Sequence, residues 1–305
     1  MMALLLAAGA ALPPGPVDFT ALDMRIEPKS RHVLLDGDVH LQRDDLTVTG
    51  DHAVAEYSKD KKPAAPPPKA KKGKKKPAAE ARLGGETVDK FTVDGKVHVE
   101  RGGRTADGAR GILDVPAQTL VLTGTPEVPP VLRDGSEMLS GERILLRLDS
   151  EDVDVVRPRL VLKRSMANEA QKSIVPVKVE ANSMTVHKEA RLARFVDQVV
   201  VRRGDTVVKS PRMDARYDKD GQLTVLEMKG GVDMRQGDRR ATGQNAEYDA
   251  STRMLVLTGD PKLFDRGDVL AGEKIDVALE SKEVRVEKAK GRLHPEKHQD
   301  EEERR

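Results

Sequence analysis

The motif Leu120-Val121-Leu122-Thr123-Gly124 occurs twice in this chain, the second time as Leu255-Val256-Leu257-Thr258-Gly259. A second match follows each copy, where residues 139–144 read LSGERI and residues 270–275 read LAGEKI. Both copies keep apolar alternation and turn glycines. Such repetition is typical of a duplicated scaffold whose function depends on its shape and its lining.

Apolar and polar residues alternate with a period of two around these motifs and over most of the chain. Val39 and Leu41, for example, flank His40. Strict alternation of this kind indicates β-strands with one buried face. Turn signals such as Asp36-Gly37, Asp94-Gly95 and Gly230-Gly231 are expected to separate strands. The sequence therefore predicts an all-β fold.

The amino-acid composition limits which residue types can form the core and which classes of function the protein can have. The chain has four Phe, three Tyr and no Trp, so its core is expected to consist of Val, Leu, Ile and Met. Charged residues make up 34%, but the net charge is only +2, which provides no global basic field for binding nucleic acid. The absence of cysteine excludes a disulfide framework, a thiol nucleophile and a Cys-ligated metal site.

The N-terminus predicts export. Residues 1–16 combine a short apolar run with small residues and are interpreted as a signal segment, although no Lys or Arg precedes the run. No segment reaches the roughly 20 apolar residues that a membrane-spanning helix needs. The protein is therefore expected to be exported.

The sequence divides into two similar domains with additional segments. We predict a first domain over 17–163, a linker over 164–176, a second domain over 177–293 and a charged tail over 294–305. The first domain carries an insert at about 61–86 whose Pro, Ala and Lys content predicts a disordered loop. This insert is either a solubilising spacer or an arm that contacts anionic surfaces through Lys69, Lys71, Lys72, Lys74, Lys75 and Lys76.

The sequence gives little support for a catalytic site. His40 and His98 occupy the same position of the repeat, where the second half has Val200 and Asp233, so a metal or acid–base role would have to tolerate that change. Asp265 and Asp268 could serve sugar cleavage as a carboxylate pair, but acids at turn positions normally bond their own backbone. We predict no catalytic residue, no metal site and no cofactor.

Several ordered motifs resemble one known family. The run from 177 to 293 contains Phe195-Val196-Asp197-Gln198-Val199-Val200-Val201, then Ala246-Glu247-Tyr248-Asp249, then the second copies of the two repeated motifs. In this order they resemble the periplasmic lipopolysaccharide-transport β-jellyrolls of the LptA/OstA type. Residues from about 19 to 163 resemble the same domain with the insert added. One departure is Asp197, where the family usually has glycine.

This resemblance implies a fold and a function. The fold would be two tandem, twisted antiparallel β-jellyrolls, each an open V-shaped sandwich with an apolar interior that holds lipid acyl chains. The protein would lie in the periplasm, bind lipopolysaccharide through lipid A and carry it to the outer membrane as part of a bridge between the inner and outer membranes. Its partners would be other jellyroll components at the inner and outer membranes, joined at sheet edges, and head-to-tail copies of itself.

The residues predicted to contact lipid are the inward members of the alternation. They are Val39, Leu41, Val97, Val99, Leu120, Leu122, Val199, Val201, Val232, Met234, Leu255, Leu257, Ile275 and Val277. Periodicity does not distinguish residues that line a groove from residues that fill a core. The alternative function is therefore a structural β-scaffold that self-associates through sheet edges and carries no lipid.

Overall fold

The computed structural model describes residues 17–58, 82–83, 86–162, 175–279, 281 and 283–292. The predicted signal segment, the six lysines of the insert, most of the linker and the charged tail lie outside the described residues. Within the described part, regular structure is all β-strand. No helix there could cross a lipid bilayer.

The described residues form 25 strands. Those of the first half are β1 Asp18–Thr20, β2 Asp23–Glu27, β3 His32–Arg43, β4 Leu46–Ser58, β5 Arg82–Leu83, β6 Glu86–Arg101, β7 Arg104–Asp114, β8 Thr119–Thr123, β9 Val131–Asp134, β10 Glu137–Ser140, β11 Arg143–Arg147, β12 Val153–Val156 and β13 Arg159–Leu162. Those of the second half are β14 Val177–Glu180, β15 Ser183–His187, β16 Leu192–Arg203, β17 Thr206–Tyr217, β18 Leu223–Gln236, β19 Arg239–Asp249, β20 Met254–Thr258, β21 Lys262–Asp265, β22 Asp268–Ala271, β23 Lys274–Ala278, β24 Val284–Glu287 and β25 Lys290–Arg292.

The chain forms two compact units. The first comprises the described residues up to Gly135 together with Ser140–Val155, and the second comprises Ser136–Leu139 together with the described residues from Val156 onward. The domain limits proposed from the sequence, 17–163 and 177–293, stay a prediction.

The two units repeat one antiparallel strand order, which confirms the predicted all-β jellyroll class. In the first unit β3 pairs with β4, β4 with β6, β6 with β7, β7 with β8 and β8 with β11. In the second unit β16, β17, β18, β19, β20 and β23 follow in the same way. The first repeated motif begins on β8 and β20, the short strands that follow each series of paired long strands, and the second motif joins β10 to β11 and β22 to β23.

Three of the expected turns are wrong, because they lie inside continuous strands. Asp36-Gly37 lies within β3, Asp94-Gly95 within β6 and Gly230-Gly231 within β18. At each of them the pairing register shifts, for example between Asp36 and Val39. These are β-bulges, which insert extra residues into one strand and bend it. Each long strand therefore bends part-way along its length instead of ending there.

Each unit has its own core of aliphatic side chains. Leu35, Leu120 and Leu122 are fully buried in the first unit. Phe195 and Ile275 are fully buried in the second unit, where Ile275 corresponds to Ile144 of the first. Methionines fill much of the remaining space in the second unit, where Met184, Met213, Met228 and Met234 are buried. Val, Leu, Ile and Met predominate among the buried residues, as expected from the scarcity of aromatics, but alanines and a few aromatic rings also belong to the core. Unbranched methionine adapts to irregular gaps, so it suits an interior with few large rings.

Candidate functional site

The residues predicted to face inward do so. Thirteen of the fourteen are buried, and Val201 is half-buried. Cross-strand pairing places most of them in continuous rows, because residues opposite each other on paired strands share one face of the sheet. The rows, and not any single pocket, are the main feature of each interior.

Three rows cross the first unit, and we name each by one of the predicted residues. The Leu41 row consists of Phe19, Leu41, Val48, Val99, Ala106 and Leu132. The Leu122 row consists of Met24, Leu35, Ala53, Val93, Gly111, Leu122 and Ile144. The Leu120 row consists of Ile26, Val33, Ala55, Phe91, Leu113, Leu120 and Leu146.

The second unit has three corresponding rows. The Val201 row consists of Leu160, Val179, Val201, Val208, Met234, Ala241, Leu263, Leu270 and Gly291. The Leu257 row consists of Met184, Phe195, Met213, Met228, Ala246, Leu257, Ile275 and Val286. The Leu255 row consists of Val186, Ala193, Ala215, Leu226, Tyr248, Leu255, Val277 and Val284.

Four predicted residues lie beside the bulges instead of in these rows. Val39 and Val97 are paired with Gly50 and Gly108, and Val232 is paired with Gly243. Val199 faces Ser210. A valine opposite a glycine keeps the apolar face continuous at the bend while leaving the space that the bend requires.

A pocket lies between two rows of the second unit. Met234, Ala241 and Leu263 from the Val201 row line one side, and Val277 and Val284 from the Leu255 row line the other. Its cavity volume is only about 10 Å³, which is room for about one water molecule. Two polar residues complete the lining: Gln236, whose Nε2 donates to the carbonyl oxygen of Leu279 at 3.4 Å, and Arg239, whose Nε donates to Asp265 Oδ2 at 2.7 Å.

Charged residues occupy the opposite face of the same strands. Arg240 Nη2 lies 2.9 Å from Asp233 Oδ2, and Arg194 Nε lies 2.9 Å from Asp214 Oδ1. Burial opposes ionisation of Asp214, but hydrogen bonds from Arg194 and Arg212 prevail and lower its pKa to about 2. The charge pattern is that of a solvated outer face around an apolar interior.

The acid and histidine candidates have structural partners. His98 Nδ1 lies 2.7 Å from Asp107 Oδ1, and Arg133 also contacts Asp107. Asp265 binds Arg239 and faces Asp268 across the β21–β22 hairpin. In the described ranges, no cluster of three or more His, Asp or Glu side chains is placed to hold a metal ion.

Sequence reasoning missed several members of the rows. Val48 and Val208 were not singled out, although each follows the same alternation within its strand. Small residues such as Ala53, Ala106 and Ala241 give a weak hydrophobic signal, yet all three are buried in the rows. The signal that would have identified them is their position, since each occupies an inward position in the period-two pattern of its strand.

Comparison with known proteins assigns the chain to a family. A family model described as LptA/(LptD N-terminal domain) LPS transport protein matches residues 19–152 and 178–283. The LPS-assembly protein LptD of Pseudomonas syringae pv. syringae (strain B728a) is 34% identical over 95 residues, which are 28% of this chain and 10% of that protein. LptD of Pseudomonas savastanoi pv. phaseolicola (strain 1448A / Race 6) is 32% identical over 95 residues, with the same coverage.

The matched region thus spans about a tenth of the length of these curated relatives. Among solved structures, the chain is similar to LptH, the LptA homologous periplasmic component of the lipopolysaccharide transport device of Pseudomonas aeruginosa. The identity is 21% and the TM-score 0.36, over 40% of this chain and 96% of LptH. Because the family model covers most of the chain, in two segments that follow its duplication, the chain belongs to the LptA/(LptD N-terminal domain) family of LPS transport proteins.

Proposed function

We propose that the protein binds lipopolysaccharide through the acyl chains of lipid A and passes it across the periplasm as a component of a bridge to the outer membrane. The observation that supports this most strongly is the set of apolar rows that cross the strands of each unit. A catalytic pocket needs a few convergent polar groups, whereas a lipid path needs a long apolar lining.

The length of the rows suits an acyl chain. Neighbouring strands lie about 4.8 Å apart, so the six strands of the Leu41 row span roughly 24 Å. Half of a bilayer's hydrocarbon core, which one acyl chain fills, is about 15 Å thick. An acyl chain lying along a row would contact side chains from several strands, and it would meet similar side chains as it moved along the row.

The energetics favour such binding. Each methylene removed from water contributes about 0.8 kcal/mol, so one acyl chain of ordinary length would bind tightly. The pocket between Met234 and Val277, although only about the size of one water molecule, is the point in the second unit at which an acyl chain would begin to enter. Entry of a whole lipid would require these rows to move further apart.

Two further features belong to this proposal. The lysines between Lys69 and Lys76 follow β4 in the chain and would contact lipid phosphates, each contributing about 1 kcal/mol near an anionic surface. The half-exposed Met24 and Ile26, at the ends of two first-unit rows, would be covered by a jellyroll component of the inner or outer membrane. A periplasmic location is part of this proposal, because lipid phosphates and membrane-bound jellyroll components would both be reached there.

A scaffold without lipid is the second candidate function. It is favoured by the close packing of the rows, since Leu122, Leu257 and Ile275 have no measurable exposure. Residues that fill a solid core would be buried to the same extent as residues that line a lipid path. The two functions differ in whether lipid reaches these side chains.

Photocrosslinking distinguishes the two functions. A photoreactive side chain at Met234, which lines the pocket, is expected to crosslink to lipopolysaccharide, whereas the same group at the neighbouring exposed Arg235 is not. Both variants must retain the unfolding midpoint of the parent chain, so that a lost crosslink does not reflect misfolding. Equal labelling at both positions, or none at Met234, would contradict lipid binding in the interior and favour the scaffold.

A further inference from the structure

Part of the sheet in the first unit is apolar on both of its faces. The rows described above face inward, and the residues between them face outward. One outward row, which we call the Leu34 stripe, crosses β3, β4, β6, β7, β8 and β11. It consists of Leu34, Val54, Thr92, Ile112, Val121 and Leu145. Thr92 is buried, and the five aliphatic side chains are half-buried.

The equivalent row of the second unit is charged. It consists of Arg194, Asp214, Glu227, Glu247, Val256 and Asp276. Ion pairs hold three of its acids, for example Asp214, whose Oδ1 lies 2.9 Å from Arg194 Nε. A solvated face of an antiparallel sheet is normally polar, as this row is. The Leu34 stripe departs from that rule, and such an apolar surface marks a place where another segment binds.

Charged pairs border the Leu34 stripe on both sides. Lys90 Nζ lies 2.7 Å from Glu56 Oε1 on one side, and Arg110 Nε lies 3.3 Å from Asp94 Oδ1 on the other. The stripe is therefore only one residue wide. Since neighbouring strands lie about 4.8 Å apart, its part from β4 to β11 is about 19 Å long. These dimensions suit a single extended segment of about six residues.

The long connection of the first unit begins beside this stripe. Residues 59–81 join β4 to β5, whereas residues 218–222 are sufficient to join the corresponding β17 and β18 of the second unit. The unit with the apolar outer row is thus the unit with the long connection. Residues 63–68 of this connection read Pro-Ala-Ala-Pro-Pro-Pro. Proline-rich runs favour the polyproline II helix, which rises about 3.1 Å per residue, so six residues span about 19 Å.

We propose that residues 63–68 dock along the Leu34 stripe, from Val54 toward Leu145. Their proline and alanine side chains lie against the aliphatic side chains of the stripe. Lys61 and Lys62, which precede the docked run, pass the carboxylate of Glu56 and match its charge. This inference does not require lipid to enter the interior, so it goes beyond the function proposed above. The lysines that follow the docked run are held on the outer face of the first unit.

The lengths of the flanking segments permit this arrangement. Ser58 ends β4 four residues beyond Val54, a distance of about 13 Å along the strand. The chain from Ser58 to Pro63 can span roughly 17 Å, which is enough to turn back to the stripe. Residues 69–81 can then span roughly 45 Å, more than the distance back to Arg82, which pairs with Thr87 of β6.

Thiol labelling tests this inference, since the chain has no cysteine of its own. Val121 and Val256 hold the same position of the repeated motif, and both are half-buried. In a Val121→Cys chain, replacing residues 63–68 with an alternating Gly-Ser run should speed maleimide labelling about fivefold, the effect of losing a docked state favoured by about 1 kcal/mol. Val256→Cys should label at the same rate with either run.

A disulfide measures the position of the docked run directly. Ala65 lies near the middle of the run, so Ala65→Cys should form an intramolecular disulfide with Ile112→Cys under mild oxidation. Thr105 lies on the same strand as Ile112, about 23 Å away. Ala65→Cys should therefore not pair with Thr105→Cys.

Equal labelling of Val121→Cys with the native and the Gly-Ser run would overturn this inference. Protection that survives the Gly-Ser replacement would also overturn it, and a rise of that protection with protein concentration would show that a second copy covers the stripe. Disulfides that form equally well at Ile112 and Thr105 would have the same meaning. Photocrosslinking at Met234 measures the lipid-binding function separately, so either proposal can fail while the other stands.

Discussion

Asp197 adopts φ of 61° at the position in β16 where the first unit has Gly37 with φ of 74°. Each bulge also accepts an equivalent hydrogen bond: the backbone N–H of Asn182 donates to the Asp197 carbonyl, and that of Leu22 donates to the Gly37 carbonyl, both at 2.9 Å. The left-handed conformation is therefore kept where the family usually has glycine. The departure changes the energy of the bulge and leaves its shape intact.

Replacing Asp197 with glycine is expected to stabilise the second unit. A left-handed residue with a side chain costs roughly 1 kcal/mol, less for Asp than for most, and the added flexibility of glycine in the unfolded chain offsets part of the gain. Asp197→Gly should raise the free energy of unfolding by about 0.5 kcal/mol in urea titrations. Val200→Gly, at an ordinary extended position of the same strand, should lower it. A loss of stability in Asp197→Gly would mean that its side chain makes a contact worth more than the strain.

Asp214 should make the second unit sensitive to acid. Its folded pKa, about 2, lies below the ordinary value of 3.8, so the stability it contributes is fully present above pH 4 and is lost as the pH falls through 2. Because the guanidinium groups are partly exposed, solvent screening reduces this contribution to about 1 kcal/mol. Asp214→Asn should therefore be less stable than the parent at neutral pH, and the difference should shrink between pH 4 and 2.

Urea titrations across this pH range measure the effect. Asp220→Asn, in an exposed turn, removes the same charge and serves as the control. A difference between Asp214→Asn and the parent that stays constant down to pH 2 would show that the stability contributed by Asp214 does not come from ion pairing with Arg194 and Arg212.

Alternation in the sequence was sufficient to identify which side chains face inward. Leu41 and Val99 were predicted from their own strands alone, and both are buried. Their common neighbour Val48, which lies between them across β4, was not predicted as part of the same row. Periodicity within one strand fixes a face, whereas a row depends on the register between strands.

The pairing register could not be predicted because a β-bulge and a hairpin turn have the same kind of sequence. Asp94-Gly95 has the composition of a two-residue hairpin turn, but the structure continues β6 through it. A glycine with positive φ suits either feature, since both require a left-handed residue. The pairing of Val97 with Gly108 on the neighbouring strand distinguishes them, and the sequence of β6 by itself does not reveal this pairing.

Leu257 and Leu22 offer a matched test of the interior. Leu257 has no exposed surface, whereas Leu22 is 74% exposed. Leu257→Ala should lower the free energy of unfolding by about 2–5 kcal/mol, because it removes buried methyl groups and leaves a cavity. Leu22→Ala should change it by less than about 0.5 kcal/mol. Thermal or urea unfolding measures both, and a small loss at Leu257 would show that the interior collapses readily around missing volume.

Gly124, the last residue of the first repeated motif, should tolerate no side chain. A Cβ there would overlap the carbonyl oxygen of Val128 and lie 3.0 Å from Pro129 Cα. These are backbone atoms of a turn closed by hydrogen bonds in both directions between Thr125 and Val128. Gly124→Ala must therefore displace the turn, at a cost of about 1–3 kcal/mol in the free energy of unfolding.

The exposed side chain of Val128 provides the control for this prediction. Val128→Ala trims the same turn without moving its carbonyl oxygen, so its stability in urea should match the parent. If Gly124→Ala were as stable as the parent, the close approach of the Val128 carbonyl would not be needed for the first unit to fold. The glycine at the end of the motif would then be retained for a reason other than packing against this turn.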